Sequence, residues 1–249
     1  MAVTIHKTGV IGLGIMGRRM ITNLVNHDRF TNPCAWDPHQ QACADAVAET
    51  PGLTIMGSAD AVIAAADLVY IATPPLWHRE YAERAMAAGK PVYSEKPLGI
   101  DVADSRALVT ELEESGVPNV VNFIQAASRA VMLTEERIGS GALGDIMGAD
   151  IIVHFARWPR DWQVDADWLR FRDQGGHTRE VLSHFLYVTQ RLLGPATLKS
   201  AKPVYPTDTA LCETHISATL DCNGVPVSVL GSCGGAGPDR VEMTIWGSQ

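Results

Sequence analysis

Gly12, Gly14 and Gly17 stand in G-x-G-x-x-G spacing directly after the apolar run "TGVIG". Glycines so placed serve a tight turn, close backbone approach to a pyrophosphate, and close packing of a helix on a strand. The helix expected to open at Ile15 and Met16 would offer free N–H groups and a positive dipole end to phosphates. Asp37 lies 20 residues beyond Gly17, at the end of "PCAW". A carboxylate there accepts the hydroxyls of an adenosine ribose and repels a 2′-phosphate, so NAD is the expected cofactor and NADP the alternative. A competing reading has Asp37 only capping the helix after Pro38. Further on, Lys96 follows the run "PVYS", and Glu180 and His184 stand four apart within "REVLSHFLYV". A lysine at a strand end can polarise a carbonyl or, where burial lowers its pKa, take an alcohol proton. A carboxylate and an imidazole at i and i+4 share one helix face. On its own, a His in so apolar a run reads as a core residue.

These groups need a scaffold that brings strand ends together. Up to residue 123, short β-branched runs alternate with helical patterns at 16–27, 40–49, 59–65, 78–88 and 102–114. Continuous apolar strands separated by helices predict a parallel sheet covered on both faces. Right-handed crossovers make it an α/β doubly wound Rossmann sheet whose carboxyl ends hold the ligand. Residues 1–123 are therefore expected to form a dinucleotide-binding domain. From 124 to 249 the pattern changes to an α+β domain on an open mixed, largely antiparallel sheet, with helices over 126–138 and 178–193 and turn signals such as "DCNG" and "GGAGP". The last strand, "RVEMTIWG", sets Val241, Met243 and Ile245 against Glu242, Thr244 and Trp246 and is followed by only two residues. The second domain is accordingly expected to be truncated.

Twenty Lys and Arg against 28 Asp and Glu give a net charge of −8, which argues against nucleic acid or an anionic membrane as partner. The five cysteines form no C-x-x-C pair, so reduced thiols and a cytoplasmic location are expected. The most apolar window, 59–77, carries Asp60, Asp67 and two prolines, unlike a membrane span. His177, His184 and Glu180 lack H-E-x-x-H spacing, and no metal is expected. The loop 156–174 holds three Trp and four Arg. Trp162 and Arg157 are read as a lid that stacks a ring or clamps an anion on a substrate, against a bland reading of ion pairing with the loop's aspartates.

Taken alone, "GLGIMGRRMITNL" resembles the β-hydroxyacid dehydrogenases, but the strand-rich second half departs from their helical second domain. The run "IATPPLWHREYAERAMAAGKPVYSEKPLGID" is instead similar to the glucose–fructose oxidoreductase, inositol dehydrogenase and MocA family (Gfo/Idh/MocA), through Thr73-Pro74-Pro75, His78, Ala88-Gly89-Lys90 and Glu95-Lys96-Pro97. The similarity continues through "GSGALGDI" and "GGHTREVLSHFLYVTQRLLG". It implies hydride transfer between nicotinamide and a carbinol carbon of a sugar, polyol or related hydroxyl or carbonyl compound. It further implies Lys96 and His184 in proton transfer, with Glu180 orienting His184 or binding a hydroxyl, and His177 near the same place. Thr73, Pro74, His78, Glu95, Lys96 and Gln125 join the glycine loop and Asp37 as implied cofactor contacts, and an unusual peptide geometry is implied at Pro97. Homo-oligomerisation through the C-terminal sheet is implied as well. Where the family usually has Arg-Arg and Pro after the sixth strand, this chain has "FIQAASRA", and Leu182 replaces a residue that is usually small. Two other readings stay open: a non-catalytic NAD-binding sensor or regulator of the same fold, and a β-hydroxyacid dehydrogenase.

Overall fold

The computed structural model describes residues 4–249, and the chain divides between Asn122 and Phe123 into two compact units. In the first, β1 (Thr8–Ile11), β2 (Cys34–Trp36), β3 (Thr54–Ile55), β4 (Leu68–Ile71), β5 (Val92–Ser94) and β6 (Asn119–Val121) form one parallel sheet in the order β3-β2-β1-β4-β5-β6. Helices α1 (Ile15–Val25), α2 (Gln40–Glu49), α3 (Ala59–Ala65), α4 (His78–Ala87) and α5 (Val102–Ser115) make the crossovers.

Successive strand residues point to opposite faces, so runs apolar at every position can be covered on both sides. Ile11, Ile71 and Val92 pack with Val62, Ile63, Ala82, Ala85, Leu108 and Leu112 of α3 to α5. Their neighbours Val10, Ala35 and Tyr70 pack with Ile21, Leu24 and Ala46 of α1 and α2. Local chemistry marks the helix ends. Ser58 and Asp101 accept the N–H groups of Ala61 and Asp104 as N-caps, and α5 stops at left-handed Gly116. The strand order reverses at β1 and β4, which puts the loops after β1, β4 and β5 side by side at one sheet edge, where ligands bind in open α/β folds.

The second unit holds α6 (Arg129–Gly139), β7 (Ile146–Phe155), α7 (Ser183–Leu193), β8 (Ala196–Val204), β9 (His215–Cys222), β10 (Val225–Cys233) and β11 (Arg240–Gly247). Its sheet runs β11-β7-β10-β9-β8, with β7 and β10 parallel and the other neighbours antiparallel. Ile151, Val153, Phe155, Leu220, Val227 and Val229 bury one sheet face against Val181 and Leu182. Asp221 accepts the Gly224 N–H to close the β9–β10 turn, where Asn223 and Gly224 both take positive φ.

Two expectations need correction. The helix anticipated over 178–193 is α-helical only from Ser183; Thr178–Leu182 form a π-helical turn. The Glu213 carboxylate takes the Thr178 N–H at 2.6 Å, a contact from 35 residues away that helix periodicity does not register. In β11, Met243 and Ile245 pack on the core, but Val241 is 49% exposed; β11 is an edge strand and is covered only in part. Among the described residues, no helix is long and apolar enough to cross a membrane.

Candidate active site

The three glycines do different work. Gly12 has φ +97°, and a Cβ there would sit 2.7 Å from the Ala72 backbone. A Cβ on Gly17 would collide with the carbonyl oxygen of Gly12. Both are required by the crossing of loop, helix and strand. Gly14 differs: a Cβ there would meet nothing within 4 Å, and it caps α1 with no side-chain acceptor. It borders an open cradle beside the first turn of α1, where the N–H groups of Ile15 and Met16 have no intrahelical acceptor. Donors and cradle together fit a pyrophosphate.

Asp37 ties this loop to the next element. Its Oδ2 accepts the Leu13 N–H at 2.8 Å, and its Oδ1 accepts the His39 N–H at 2.8 Å. His39, not Asp37, is the N-cap residue of α2. The His39 ring Nδ1 also lies 3.0 Å from Asp37 Oδ1; a carboxylate offers about four lone-pair sites, so these contacts leave room for about one ribose hydroxyl.

Lys96 follows β5 and is half-buried, and the Lys96–Pro97 peptide bond is cis. Beneath it lies Glu95, 5% exposed. Glu95 Oε1 accepts from the Tyr70 hydroxyl and from Asn122 Nδ2 at 2.7 Å, and Oε2 accepts the Lys96 N–H at 3.3 Å. Tyr93 donates in turn to Asn122 Oδ1 at 2.8 Å. Burial, reinforced by the Glu95 charge, pushes the Tyr70 phenol far above its ordinary range and moves Tyr93 the same way, so both keep their donor protons. His78 is 1% exposed, with Nδ1 2.8 Å from the Pro97 carbonyl and Nε2 2.8 Å from the Thr73 carbonyl. Burial lowers its pKa, while the two carbonyls pull the other way. Glu95 and His78, implied as cofactor contacts, are both buried, with polar atoms at the Lys96 N–H and the Pro97 carbonyl. Thr73, just before Pro74, buries a hydroxyl oxygen that has no hydrogen-bond partner among the described residues.

In the second unit, Glu180 lies in the π-helical turn at 7% exposure. His184 is half-buried in the first turn of α7, its ring edge-on to Phe123 at 5.7 Å. Phe123 stacks on Tyr187 at 4.4 Å. His177 is 1% exposed and meets the Phe155 and Trp158 rings edge-on, each at 5.6 Å. Its Nε2 has no hydrogen-bond partner among the described residues, and burial lowers its pKa to about 4. One stretch thus gathers His177, Glu180 and His184, with Leu182 turned into the core. Gln125 is exposed in a short turn, Ile124–Ala127. The loop 156–174 is braced by its own pairs. The Arg160 guanidinium lies 4.6 Å from the Phe155 ring and 4.5 Å from that of Trp162. Arg157 is exposed and pairs with Asp161 at 3.2 Å.

Tyr70, Asn122 and Glu213 were not singled out from sequence. A tyrosine inside "LVYIAT" and an asparagine directly after the Val120-Val121 pair of "NVVNF" interrupt the apolar runs; that interruption is the signal that a buried polar partner lies nearby.

Residues 6–123 match the family model described as an oxidoreductase family with an NAD-binding Rossmann fold, GFO_IDH_MocA. The first unit is a Gfo/Idh/MocA-family domain. An uncharacterized oxidoreductase of Streptococcus pneumoniae is 30% identical over 193 residues, 76% of this chain and 50% of that protein. An inositol 2-dehydrogenase of Cereibacter sphaeroides is 31% identical over 157 residues, 60% of this chain and 44% of that one. This chain spans about half the length of these relatives. The fold of both units recurs in the WlbA dehydrogenase of Bordetella pertussis, solved with NADH and UDP-GlcNAcA. It has a TM-score of 0.88 at 24% identity, covering 100% of this chain and 73% of that one.

Proposed function

We propose that the protein is an NAD-dependent oxidoreductase acting between a carbinol and a carbonyl carbon of a sugar, polyol or related hydroxyl compound. The observation that carries this reading is the bracing of Lys96 at the ligand-binding edge of an NAD-binding sheet. Glu95 holds its N–H, and His78 holds the next carbonyl.

Bound NAD supplies a hydride acceptor, or as NADH a donor, at its nicotinamide ring. Gly12, Gly14, Ile15, Met16 and Gly17 would cradle the pyrophosphate, and Asp37 would take the adenosine ribose. Thr73, Pro74 and Gln125 would serve the nicotinamide end. In the oxidation direction, the substrate's C–H bond breaks as hydride is lost from the carbinol carbon. The hydroxyl proton leaves to a base of the chain, and the C–O bond becomes a carbonyl. Lys96 and His184 share that proton transfer, with Glu180 orienting His184. His177, neutral across the physiological range, would present a hydrogen bond of constant character to a substrate hydroxyl. Trp162 and Arg157 belong to the loop that would close over it.

Five free thiols fit a reducing, cytoplasmic setting. Leu230 and Trp246, about half exposed in the second sheet, fit its use between copies of the chain. The test is a dehydrogenase screen against polyols, sugars and hydroxy acids with NAD and NADP. Turnover of a polyol or sugar with NAD supports the reading. NADH binding without any turnover would favour a sensor instead.

A further inference from the structure

Lys96 sits between two neighbours whose backbone is unusually well held. Pro97 has no N–H, so its carbonyl is the only main-chain group by which that residue can be fastened. The His78 ring nitrogens lie 2.8 Å from that carbonyl and from the Thr73 carbonyl; a neutral ring donates its one N–H to one of them, and a protonated ring donates to both. Thr73 belongs to the loop after β4 and Pro97 to the loop after β5, and these strands are parallel neighbours that pair Ile71 with Ser94. One imidazole, rooted at the first residue of α4 and 1% exposed, therefore spans two adjacent ligand-edge loops.

We propose that His78 is a positioning residue for Lys96: by bridging the Thr73 and Pro97 carbonyls it sets the spacing of the two loops, and with it the place of the Lys96 amine. The inference rests on the proposed role of Lys96 and adds a residue that acts through it without touching cofactor or substrate. The ring suits the task because its two nitrogens point in opposite directions from a rigid plane, with one N–H to donate in the neutral ring and two in the protonated one. An amide side chain reaches one carbonyl or the other.

The experiment uses His78→Phe, which keeps a ring and removes both polar contacts, and His78→Gln, which keeps one donor. Each is compared with the wild-type chain by thermal unfolding, NADH affinity from fluorescence, steady-state kinetics, and mass-spectrometric rates of reductive methylation at Lys96, with Lys90 as the internal reference. In His78→Phe, the Lys96:Lys90 labelling ratio is expected to change, and kcat to fall about ten- to a hundredfold with a smaller change in NADH affinity. His78→Gln should lie between it and the wild type on both readouts. If His78→Phe does not fold, His78→Gln carries the test, and wild-type labelling and kcat in that variant would overturn the proposal. A loss of NADH affinity with unchanged labelling would overturn it too, by making His78 a cofactor contact. Altered labelling in a chain that turns over no substrate keeps the positioning role and removes the proposed reaction.

Discussion

The loop after β5 and the turn that opens α7 are both lined with buried polar side chains, but their hydrogen bonds go to different places. Around Lys96 most of the groups are used within the protein: Tyr70, Asn122 and the Lys96 N–H all converge on Glu95, and the His78 ring lies between two carbonyls, while the Thr73 hydroxyl is left without a partner among the described residues. At the start of α7, Gln174, His177, Thr178 and Ser183 each bury a side-chain atom with no partner among the described residues. A buried unsatisfied group costs about 1–3 kcal/mol, so such a cluster persists where something other than the fold selects it. The first region is shaped by its own contacts before any ligand arrives. The second leaves these donors and acceptors without partners among the described residues, and the proposed function assigns that capacity to a polar substrate.

The sharpest way to break this contrast is Lys96→Ala. Because the loop's shape depends on Glu95 and His78, the variant should fold and bind NADH while kcat drops about 10²–10⁴-fold; near-wild-type turnover in a steady-state assay would remove Lys96 from the chemistry. Next comes Glu95→Ala, which strands three donors at once. A loss of about 3 kcal/mol of unfolding free energy is expected in urea titrations, whereas Ser183→Ala, in the unsatisfied region, should leave stability within about 0.5 kcal/mol. Equal losses would erase the distinction.

His177 supplies a pH test. Its folded pKa, about 4, lies below the ordinary 6.5, so the unfolded chain takes up the proton first as pH falls. The stability linked to His177 is complete above about pH 6.5, declines toward about pH 4 and levels off below, for a total of about 3 kcal/mol. His78 shifts in the same direction, so the informative quantity is the difference between wild type and His177→Phe in denaturant midpoints across that window. Parallel curves would mean that His177 is not held neutral by burial. A smaller effect than these losses is expected at Asp37, whose carboxylate already holds two backbone N–H groups. Asp37→Ala should weaken NADH binding about tenfold, or about 1.4 kcal/mol, and narrow the preference over NADPH; a widened preference would contradict its assigned place.

Much of the scaffold was legible because its causes are local. Apolar runs at "TGVIG" and "LVYIAT" and the helical patterns between the strands are each set within a few residues. The glycine loop was legible for the same reason, since turn, close approach and helix start lie within six residues of one another. Of the candidate site, the spacing of Glu180 and His184 was readable, but the π-helical turn beneath Glu180 was not. It is pinned by Glu213, which belongs to the segment before β9.

The sequence by itself thus determined the alternation of strands and helices, the parallel sheet and the glycine cradle, all set by side-chain period and backbone freedom over short spans. Only the tertiary structure decided which polar residues pair with one another and which are left without a partner among the described residues. Tyr70, Glu95 and Asn122 are 25 and 27 residues apart, and they meet because β4, β5 and β6 lie side by side in parallel register. A hydrogen bond is spent on whichever partner comes within about 3 Å, and which partners do is a property of that register.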